Sequence, residues 1–284
     1  MLKQRLRHHL QQIVRERDPY FATGGHFLVR EYIRNTLYQW GEVKTHEFKV
    51  RNDIYQNLIL DLPAHTPSSL PPILIGAHYD AVPGTPGADD NATGVAVLLE
   101  LAAVFQANPL KYPVRLVAFD LEEAALIGRG LLGSTAYATE LKAQKQELRL
   151  MLSLEMLGYR DSRPNSQHYP DLIKPFYRDC GDFIALVGNL SSIFDLITLS
   201  RWIGKHGTPC QILPDPTSGK LIPMTGFSDH SPFWRQGYKA IMVTDTAMLR
   251  NPHYHQPSDT IDSLDLDFLT GVCESLIAAL NSIS

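Results

Sequence analysis

The chain has 284 residues, of which 44% are hydrophobic and 20% are charged, and its formal net charge at pH 7 is -4. A chain of this length and composition can bury the core of one large α/β domain or two modest ones without disulfide bonds. The charge gives no electrostatic reason to expect nucleic acid as a partner, and the 3 widely spaced cysteines fit neither a disulfide framework nor a cysteine zinc site.

The N-terminal residues 1–17 are polar and basic, without an apolar run of signal-peptide length. No stretch of about 18 consecutive apolar residues, the length that spans a bilayer, occurs in the sequence. We therefore expect a cytoplasmic protein that does not associate with membranes. The sequence does not indicate an oligomeric state.

The spacing of apolar residues predicts the secondary structure in chain order. Helical spacing predicts helices over Leu2–Arg17 and Phe27–Trp40, and β-rich runs predict strands over Val43–Val50 and Tyr55–Leu62. After a Pro/Ser-rich turn at Pro63–Pro72, strands and helices alternate. These later elements are predicted over Ile73–Ala77, Gly94–Ala107, Val114–Phe119, Leu131–Lys142, Leu148–Leu154, Phe183–Val187, Ser191–Ile203, Ala240–Thr244 and Leu264–Ile283. The alternation predicts a single α/β domain spanning the whole chain, with a mixed, mostly parallel sheet flanked by helices on both faces.

Acidic residues and histidines fall directly after the predicted strands. In an open α/β sheet, the carboxyl ends of the strands form the binding crevice, so these side chains are expected to lie near one another. They are His78, Asp80, Asp89, Asp90, Glu122, Glu123, Glu155 and His255. Histidines and carboxylates without a thiolate favour zinc, which cobalt or manganese can replace.

The acidic residues differ in what they can contribute to such a site. Two ions about 3.5–4 Å apart are held most easily by a shared carboxylate, which lowers their mutual repulsion. Asp90, in a short loop between a strand and a helix, is the predicted bridge. Glu122 and Glu123 can have different roles if the backbone turns sharply between them. One can then bind metal while the other exchanges protons with a metal-activated water. The spacing does not say which glutamate does which.

Each of these motifs also has a purely structural interpretation. A His-x-Asp pair such as His78 and Asp80 is more often a hydrogen-bonded surface pair, and adjacent glutamates often begin a solvated helix. Asp89 and Asp90 can form a turn and a helix N-cap. The metal-site hypothesis is favoured because all of these motifs fall at strand ends of one α/β unit.

Together, and in this order, the motifs resemble the co-catalytic zinc aminopeptidases, which include the bacterial leucyl-type aminopeptidases. Glutamate carboxypeptidase II and glutaminyl cyclase are more distant relatives. The resemblance covers roughly Ile73–Asp265. The motifs are Ala77-His78-Tyr79-Asp80, Gly87-Ala88-Asp89-Asp90-Asn91-Ala92-Thr93-Gly94, Asp120-Leu121-Glu122-Glu123, Leu154-Glu155-Met156-Leu157-Gly158-Tyr159, Phe227-Ser228-Asp229-His230-Ser231-Pro232-Phe233 and Tyr254-His255-Gln256-Pro257-Ser258-Asp259-Thr260.

The resemblance implies a set of metal ligands. His78, Asp90 and Glu155 would hold one zinc ion, and Asp90, Glu123 and His255 would hold a second. Most characterised relatives have an aspartate at the position of Glu155. The extra methylene shifts the carboxylate by about one ångström unless the strand end sits further back. This departure leaves single-metal occupancy open.

The resemblance also implies roles for residues around the ligands. Glu122 would be the general base, and Asp80 would hydrogen-bond the far nitrogen of His78. Tyr254 stands where some relatives have a tyrosine that stabilises the tetrahedral oxyanion. Asp229 matches an aspartate of the proton network in the cyclases, although Ser-Asp-His before an aromatic residue is also typical of a helix start with a packed histidine. We expect Asp229 to line the pocket without touching metal.

The implied activity is that of a metal-dependent aminopeptidase acting on peptides with a free N-terminus. A pocket for the first side chain is expected between Tyr159 and Phe227, from residues that otherwise simply pack a core. The candidates are Tyr169, Phe176, Phe194, Trp202 and Ile222. Two alternatives remain: glutaminyl cyclisation with one zinc and no attacking water, and a binding module without metal.

Overall fold

The computed structural model describes residues 1–123, 130–171 and 173–283. The helices are α1 (Leu2–Ile13), α2 (Thr23–Tyr38), α3 (Gly94–Ala107), α4 (Leu132–Ala143), α5 (Ile193–Lys205), α6 (His230–Arg235) and α7 (Leu266–Ser282). The strands are β1 (Val43–Val50), β2 (Asp53–Leu62), β3 (Ile73–His78), β4 (Val114–Phe119), β5 (Leu150–Glu155), β6 (Ile184–Asn189), β7 (Cys210–Asp215) and β8 (Ala240–Thr244). None of the helices within these ranges has both the length and the apolar character needed to cross a membrane.

The strands form one mixed sheet in the order β1-β2-β4-β3-β5-β8-β6-β7. The four neighbours β4, β3, β5 and β8 run parallel to one another. On one side β1 and β2 continue the sheet in antiparallel pairs, and on the other β6 pairs antiparallel with β8 and parallel with β7. The predicted fold class is confirmed, and the carboxyl ends of the four central strands meet at one edge.

Apolar layers cover both faces of the sheet. All residues of β3 and β5 are buried, as expected for parallel strands between two helical layers. Their side chains alternate between the layers: Ile75 and Leu152 pack in the core with α1, α2, α3, α5 and α7, whereas Leu74 and Met151 pack with α4 and α6. The central strands are therefore held from both sides, which fixes the edge where they end.

Several element bounds differ from the sequence prediction by a few residues, and three of the differences have a clear physical cause. The first helix ends at Ile13 instead of Arg17, because Val14 already has extended backbone angles. Strand β7 was not predicted, since it is a half-buried edge strand containing Pro214, which weakens its β pattern. Helix α6 was not among the predicted elements, because its six residues are too few to show helical periodicity, although the alternative interpretation of Ser-Asp-His as a helix start fits it.

Candidate metal centre

The predicted ligands lie at the edge where the central strands end. His78 is the last residue of β3 and Glu155 is the last residue of β5. Glu123 comes shortly after β4, and His255 lies in the loop that follows β8. Asp90 reaches the same edge from an irregular helical turn, Ala88–Thr93, that leads into α3. The parallel order of the strands thus brings together residues that are far apart in sequence.

Three of these residues form what we call the inner group: His78, Asp90 and Glu155, all buried. His78 Nε2 lies 3.3 Å from Asp90 Oδ1 and 3.5 Å from Glu155 Oε1. One ligand atom from each residue lies within 4.8 Å of the others. The three atoms converge on one point, as ligands of a single ion would.

The outer group consists of Asp90, Glu123 and His255, which meet the same 4.8 Å limit. His255 Nε2 lies 2.8 Å from Glu123 Oε1 and 3.2 Å from Asp90 Oδ2. The two oxygens of Asp90 therefore face different groups, Oδ1 the inner and Oδ2 the outer. One carboxylate thus belongs to both donor groups.

Unpaired buried atoms test whether the inner group suits a cation. Within the described ranges, His78 Nε2 and Asp90 Oδ1 are buried and make no hydrogen bond with acceptable geometry. Such atoms are rare in folded proteins, because burying a polar group without a partner is unfavourable. The histidine nitrogen and the carboxylate oxygens face one another but form no hydrogen bonds, which is what the ligands of a divalent ion would do. This donor set suits zinc.

Ionisation in the ligand-binding region reflects its crowded negative charge. Burial and the charge of Asp90 raise the pKa of Glu123 to about 7. Burial alone would lower the pKa of His255, but its hydrogen bonds to Asp90 and Glu123 raise it to about 10. Burial would raise the pKa of Asp90, but the nearby imidazoles of His255 and His78 hold it below its usual range. A bound cation would relieve the remaining repulsion among the carboxylates.

The backbone turns sharply before Glu122 and Glu123. Leu121 has a left-handed backbone with φ of 56°, and its N–H donates to Asp120 Oδ1 over 3.0 Å. Asp80 supports the turn, since its two oxygens accept the N–H groups of Glu122 at 3.1 Å and Glu123 at 2.9 Å. The two glutamates therefore occupy different positions, and Glu123 contacts His255.

Glu122 and Asp80 stand close to the ligands. Glu122 is buried, and burial followed by the charge of Glu123 raises its pKa well above the usual range. Asp80 Oδ1 lies 3.4 Å from His78 Nδ1, which is long for a hydrogen bond. The strongest contacts of Asp80 are thus with the backbone of the glutamate turn, which the sequence did not indicate.

Glu155 has a hydroxyl partner that sequence analysis missed. Ser228 donates to Glu155 Oε2 over 2.7 Å, and the hydroxyls of Ser228 and Ser153 lie 2.9 Å apart. Because Ser228 donates to the carboxylate, its oxygen is free to accept from Ser153. The only available signal was that Ser228 belongs to the Phe227–Phe233 motif.

Asp229 and His230 lie at the start of α6. Asp229 occupies the N-cap position, without a capping hydrogen bond from its side chain, and burial raises its pKa to about 7. The ring of His230 packs edge-on against Trp234 at 4.3 Å, and its Nε2 lies 2.8 Å from the carbonyl oxygen of Thr225. Neither residue belongs to the two donor groups found in the described part of the chain.

An apolar pocket adjoins the site. Glu155 and Tyr254 both line it, and the Tyr254 ring stacks on His255 with 3.7 Å between ring centroids. Other lining residues include Tyr169, Ile173, Ile222, Met224, Met242 and Leu249. Of the residues predicted to form a pocket, Tyr169 and Ile222 line this one. Phe176 and Phe194, which are 80% and 81% exposed, and Trp202, which packs on α5 against His206, do not line it.

The neighbours Asp89 and Asp90 face different surroundings. Asp89 accepts from the N–H of Gly158 over 2.8 Å and from the Asn251 amide over 2.7 Å, so its carboxyl group is used within the fold. The carboxylate of Asp259 accepts the backbone N–H groups of Asp89 and Asp90 at 2.9 and 3.1 Å. The peptide bond between Asp90 and Asn91 is cis. Of the acidic pair, Asp90 is the member that faces the donor groups.

Comparison with known proteins identifies the family. The family model for Peptidase family M28 matches residues 57–280. The chain belongs to peptidase family M28. It is 37% identical over 260 residues to Uncharacterized protein YfbL of Escherichia coli (strain K12), which spans 88% of this chain and 78% of that protein. It is 26% identical over 212 residues to Aminopeptidase YwaD of Bacillus subtilis (strain 168), covering 73% of this chain and 40% of that one.

A solved structure supports this assignment. BSAP, a zinc aminopeptidase from Bacillus subtilis, superimposes with a TM-score of 0.59 at 26% identity, covering 81% of this chain and 50% of that one. This M28 chain thus spans half or less of the length of these two aminopeptidases. The family predicted from the motifs is confirmed.

Proposed function

We propose that this chain is a zinc-dependent aminopeptidase that releases N-terminal residues from peptides. The proposal rests chiefly on Asp90, whose two carboxylate oxygens face two separate groups of histidine and carboxylate ligands. The M28 family and the aminopeptidases among its relatives support the same activity. We propose two zinc ions, one in the inner group and one in the outer group, with cobalt or manganese as substitutes.

The donor groups and the residues around them have different roles in catalysis. Divalent ions held by the two groups would supply Lewis acidity, which polarises a peptide carbonyl and acidifies a water. Glu122, buried beside the ligands, accepts the proton from the attacking water and returns it to the leaving amine. Tyr254, stacked on His255, stabilises the negative oxygen of the tetrahedral intermediate. Asp80 keeps Glu122 and Glu123 in place through their backbone N–H groups.

The charge of the site favours the amino end of a peptide. Beyond the shared Asp90, the carboxylates of Glu122, Glu155 and Asp229 are buried close to one another, so that their charges influence each other. In their ionised forms these carboxylates attract a protonated amine and repel the C-terminal carboxylate of a peptide. The adjoining pocket, with methionine, isoleucine and leucine side chains, suits an apolar first residue.

Product analysis of defined peptides tests the activity. Protein purified without chelator and reconstituted with zinc, cobalt or manganese is incubated with a leucyl peptide, its N-acetylated form and a glutaminyl peptide, and the products are identified by mass spectrometry. We expect free leucine, no cleavage of the acetylated peptide, and free glutamine. Pyroglutamate as the main product would instead show a glutaminyl cyclase.

Metal analysis and one variant test the mechanism. Less than about half an equivalent of metal, with none taken up on reconstitution, would contradict the metal sites and favour a binding module. Glu122→Gln removes the proton acceptor and keeps the shape of the side chain. It should retain metal and lose turnover, and an active Glu122→Gln variant would exclude Glu122 as the base.

A further inference from the structure

Arg17 is a buried cation behind the loop that carries Asp90. It lies between α1 and α2, has no exposed surface and falls outside the part of the chain that the family model matches. Its guanidinium donates from Nε to the Tyr79 carbonyl over 2.8 Å. Its Nη2 donates to the carbonyls of Gly87 at 2.8 Å and Asp90 at 3.3 Å. One side chain therefore joins the end of β3 to the Asp90 loop.

The segment that carries Arg17 is itself fixed in place. Asp18 Oδ1 accepts the N–H groups of Tyr20 and Phe21 at 2.9 and 2.7 Å, closing a tight turn. Gly25 of α2 touches the backbone of Glu16, since a Cβ on Gly25 would stand 2.0 Å from the Glu16 carbonyl oxygen. Arg17 thus enters the interior from a turn docked tightly against α2.

The Asp90 loop is shaped to receive the guanidinium. Gly87 has φ of 59°, a left-handed conformation that favours glycine. A Cβ at Gly87 would lie 2.8 and 2.9 Å from the two terminal nitrogens of Arg17 and 2.3 Å from the Asp90 carbonyl oxygen. Because glycine leaves this space open, the guanidinium can reach the backbone on both sides of the turn.

The backbone of Asp90 is consequently held at both ends. Asp259 accepts its N–H, and Arg17 donates to its carbonyl. The planar guanidinium presents several N–H donors in a fixed fork, which a lysine ammonium cannot reproduce. With both backbone groups tied, the Cα–Cβ bond of Asp90, from which its carboxylate projects, is held in one direction.

We infer that Arg17 is a positioning residue of the metal centre, which orients Asp90 so that its carboxylate serves both donor groups. This inference rests on the proposed function of Asp90 as a shared ligand. If Arg17 acted only through its charge, its guanidinium would weaken zinc binding, because a positive charge behind Asp90 repels a divalent cation. Removing the charge would then tighten zinc binding, whereas loss of positioning weakens it.

Zinc affinity separates the two roles. The zinc dissociation constant is measured by chelator competition for the wild type, Arg17→Lys and Arg17→Met, together with the melting temperature of each protein without metal. We expect both variants to bind zinc about 10- to 100-fold more weakly, the usual cost of losing a group that orients a ligand. Arg5→Met is the matched control, because Arg5 lies on α1 and pairs with Glu100, not with the Asp90 loop. Arg5→Met should leave the zinc dissociation constant unchanged.

Unchanged or tighter zinc binding in folded Arg17 variants would overturn the inference. If the variants do not fold, hydrogen exchange of the wild type tests the same coupling, because by linkage zinc must stabilise the contacts that favour its binding. Zinc should slow exchange in residues 14–22 more than in α7, and equal effects would contradict the inference. A wild type that binds no zinc would instead disprove the proposed function.

Discussion

The inner and outer groups share Asp90 but differ in how their other ligands are held. His78 and Glu155 of the inner group are the last residues of two central strands, and both are buried. Glu123 and His255 of the outer group come from segments after strands, and the His255 side chain is 33% exposed. Ligands on packed strands are held more accurately than ligands on loops. We therefore expect the inner group to bind metal more tightly and release it more slowly.

The largest expected effect is at the residue common to both groups. Asp90→Asn removes a negative charge that faces both His78 and His255, so both groups should lose metal. Since metal ions supply several kcal/mol of transition-state stabilisation, kcat/KM should fall by at least about 10⁴-fold. Metal content by mass spectrometry and peptide hydrolysis check this expectation.

Asp89→Asn is the matched control for this variant. Asp89 is the adjacent carboxyl group, and it hydrogen-bonds within the fold instead of facing the donor groups. Burial, followed by the charge of Asp245, raises its pKa well above the usual range. A neutral amide therefore changes the charge at this position little and faces neither donor group, so Asp89→Asn should keep its metal. Equal losses in both variants would show that loop structure, not ligation by Asp90, governs binding.

The next effect separates the groups. His255→Ala removes an outer ligand and leaves all three residues of the inner group intact. Metal content should fall to about one equivalent, and kcat/KM by roughly 10³-fold, since one of two cooperating ions is lost. The metal-free protein should keep its melting temperature within a few degrees, because His255 is partly exposed. Loss of all metal from His255→Ala would mean that the inner group does not bind independently.

Helix α6 begins at His230, whose titration makes the free energy of unfolding depend on pH. Burial lowers the pKa of His230 to about 4 from an ordinary value of 6.5. Between these values the unfolded chain takes up a proton that the folded chain does not, so stability falls as pH falls through this window. The difference amounts to about 3 kcal/mol.

The measurement compares the wild type with His230→Gln. Denaturant unfolding of both proteins without metal is followed between pH 7 and pH 4. The wild type should lose about 3 kcal/mol more than the variant, since the titrating carboxyl groups are common to both and cancel. Parallel pH curves for the two proteins would show that His230 is not held neutral in the folded state.

Sequence patterns were sufficient for most of the sheet and for the candidate ligands. β1, α3, β4 and β8 begin and end where their apolar spacing predicts. The candidate ligands stand beside strand ends, so the order of the strands brings them together. Whether they bind metal remains a prediction. What local patterns can show here is which residues end a strand, and in a parallel sheet those residues share one edge.

The supports around the ligands could not be predicted in the same way. Arg17 donates to backbone carbonyls of residues that lie 62 to 73 positions away in the sequence. Because every residue has a backbone carbonyl, the residue types in the sequence do not indicate which ones Arg17 contacts. Ser228 reaches Glu155 across 73 positions through a single hydroxyl. The helical spacing of Leu2–Arg17 also placed Arg17 in the predicted first helix, whereas that helix ends at Ile13 and the following segment turns inward. Such contacts depend on tertiary packing alone.

The smallest expected effect concerns Glu155, which stands where the resemblance to the zinc aminopeptidases led us to expect an aspartate. One oxygen of Glu155 accepts from Ser228 at 2.7 Å, and the other faces His78 at 3.5 Å. An aspartate is one methylene shorter, so from the same strand end its carboxylate cannot reach both Ser228 and His78. Glu155→Asp should therefore weaken zinc binding to the inner group by about tenfold, at the lower end of what loss of a supporting contact costs.

Ser228→Ala is the companion variant, because it removes the hydroxyl and keeps the length of Glu155. If Ser228 orients Glu155, the two variants should weaken inner-group binding by similar factors, and the double variant should weaken it little further, since both remove the same contact. Zinc titrations in the His255→Ala background isolate the inner group. Tighter binding in Glu155→Asp would show that the site remains suited to aspartate, and that Ser228 does not compensate for the longer side chain.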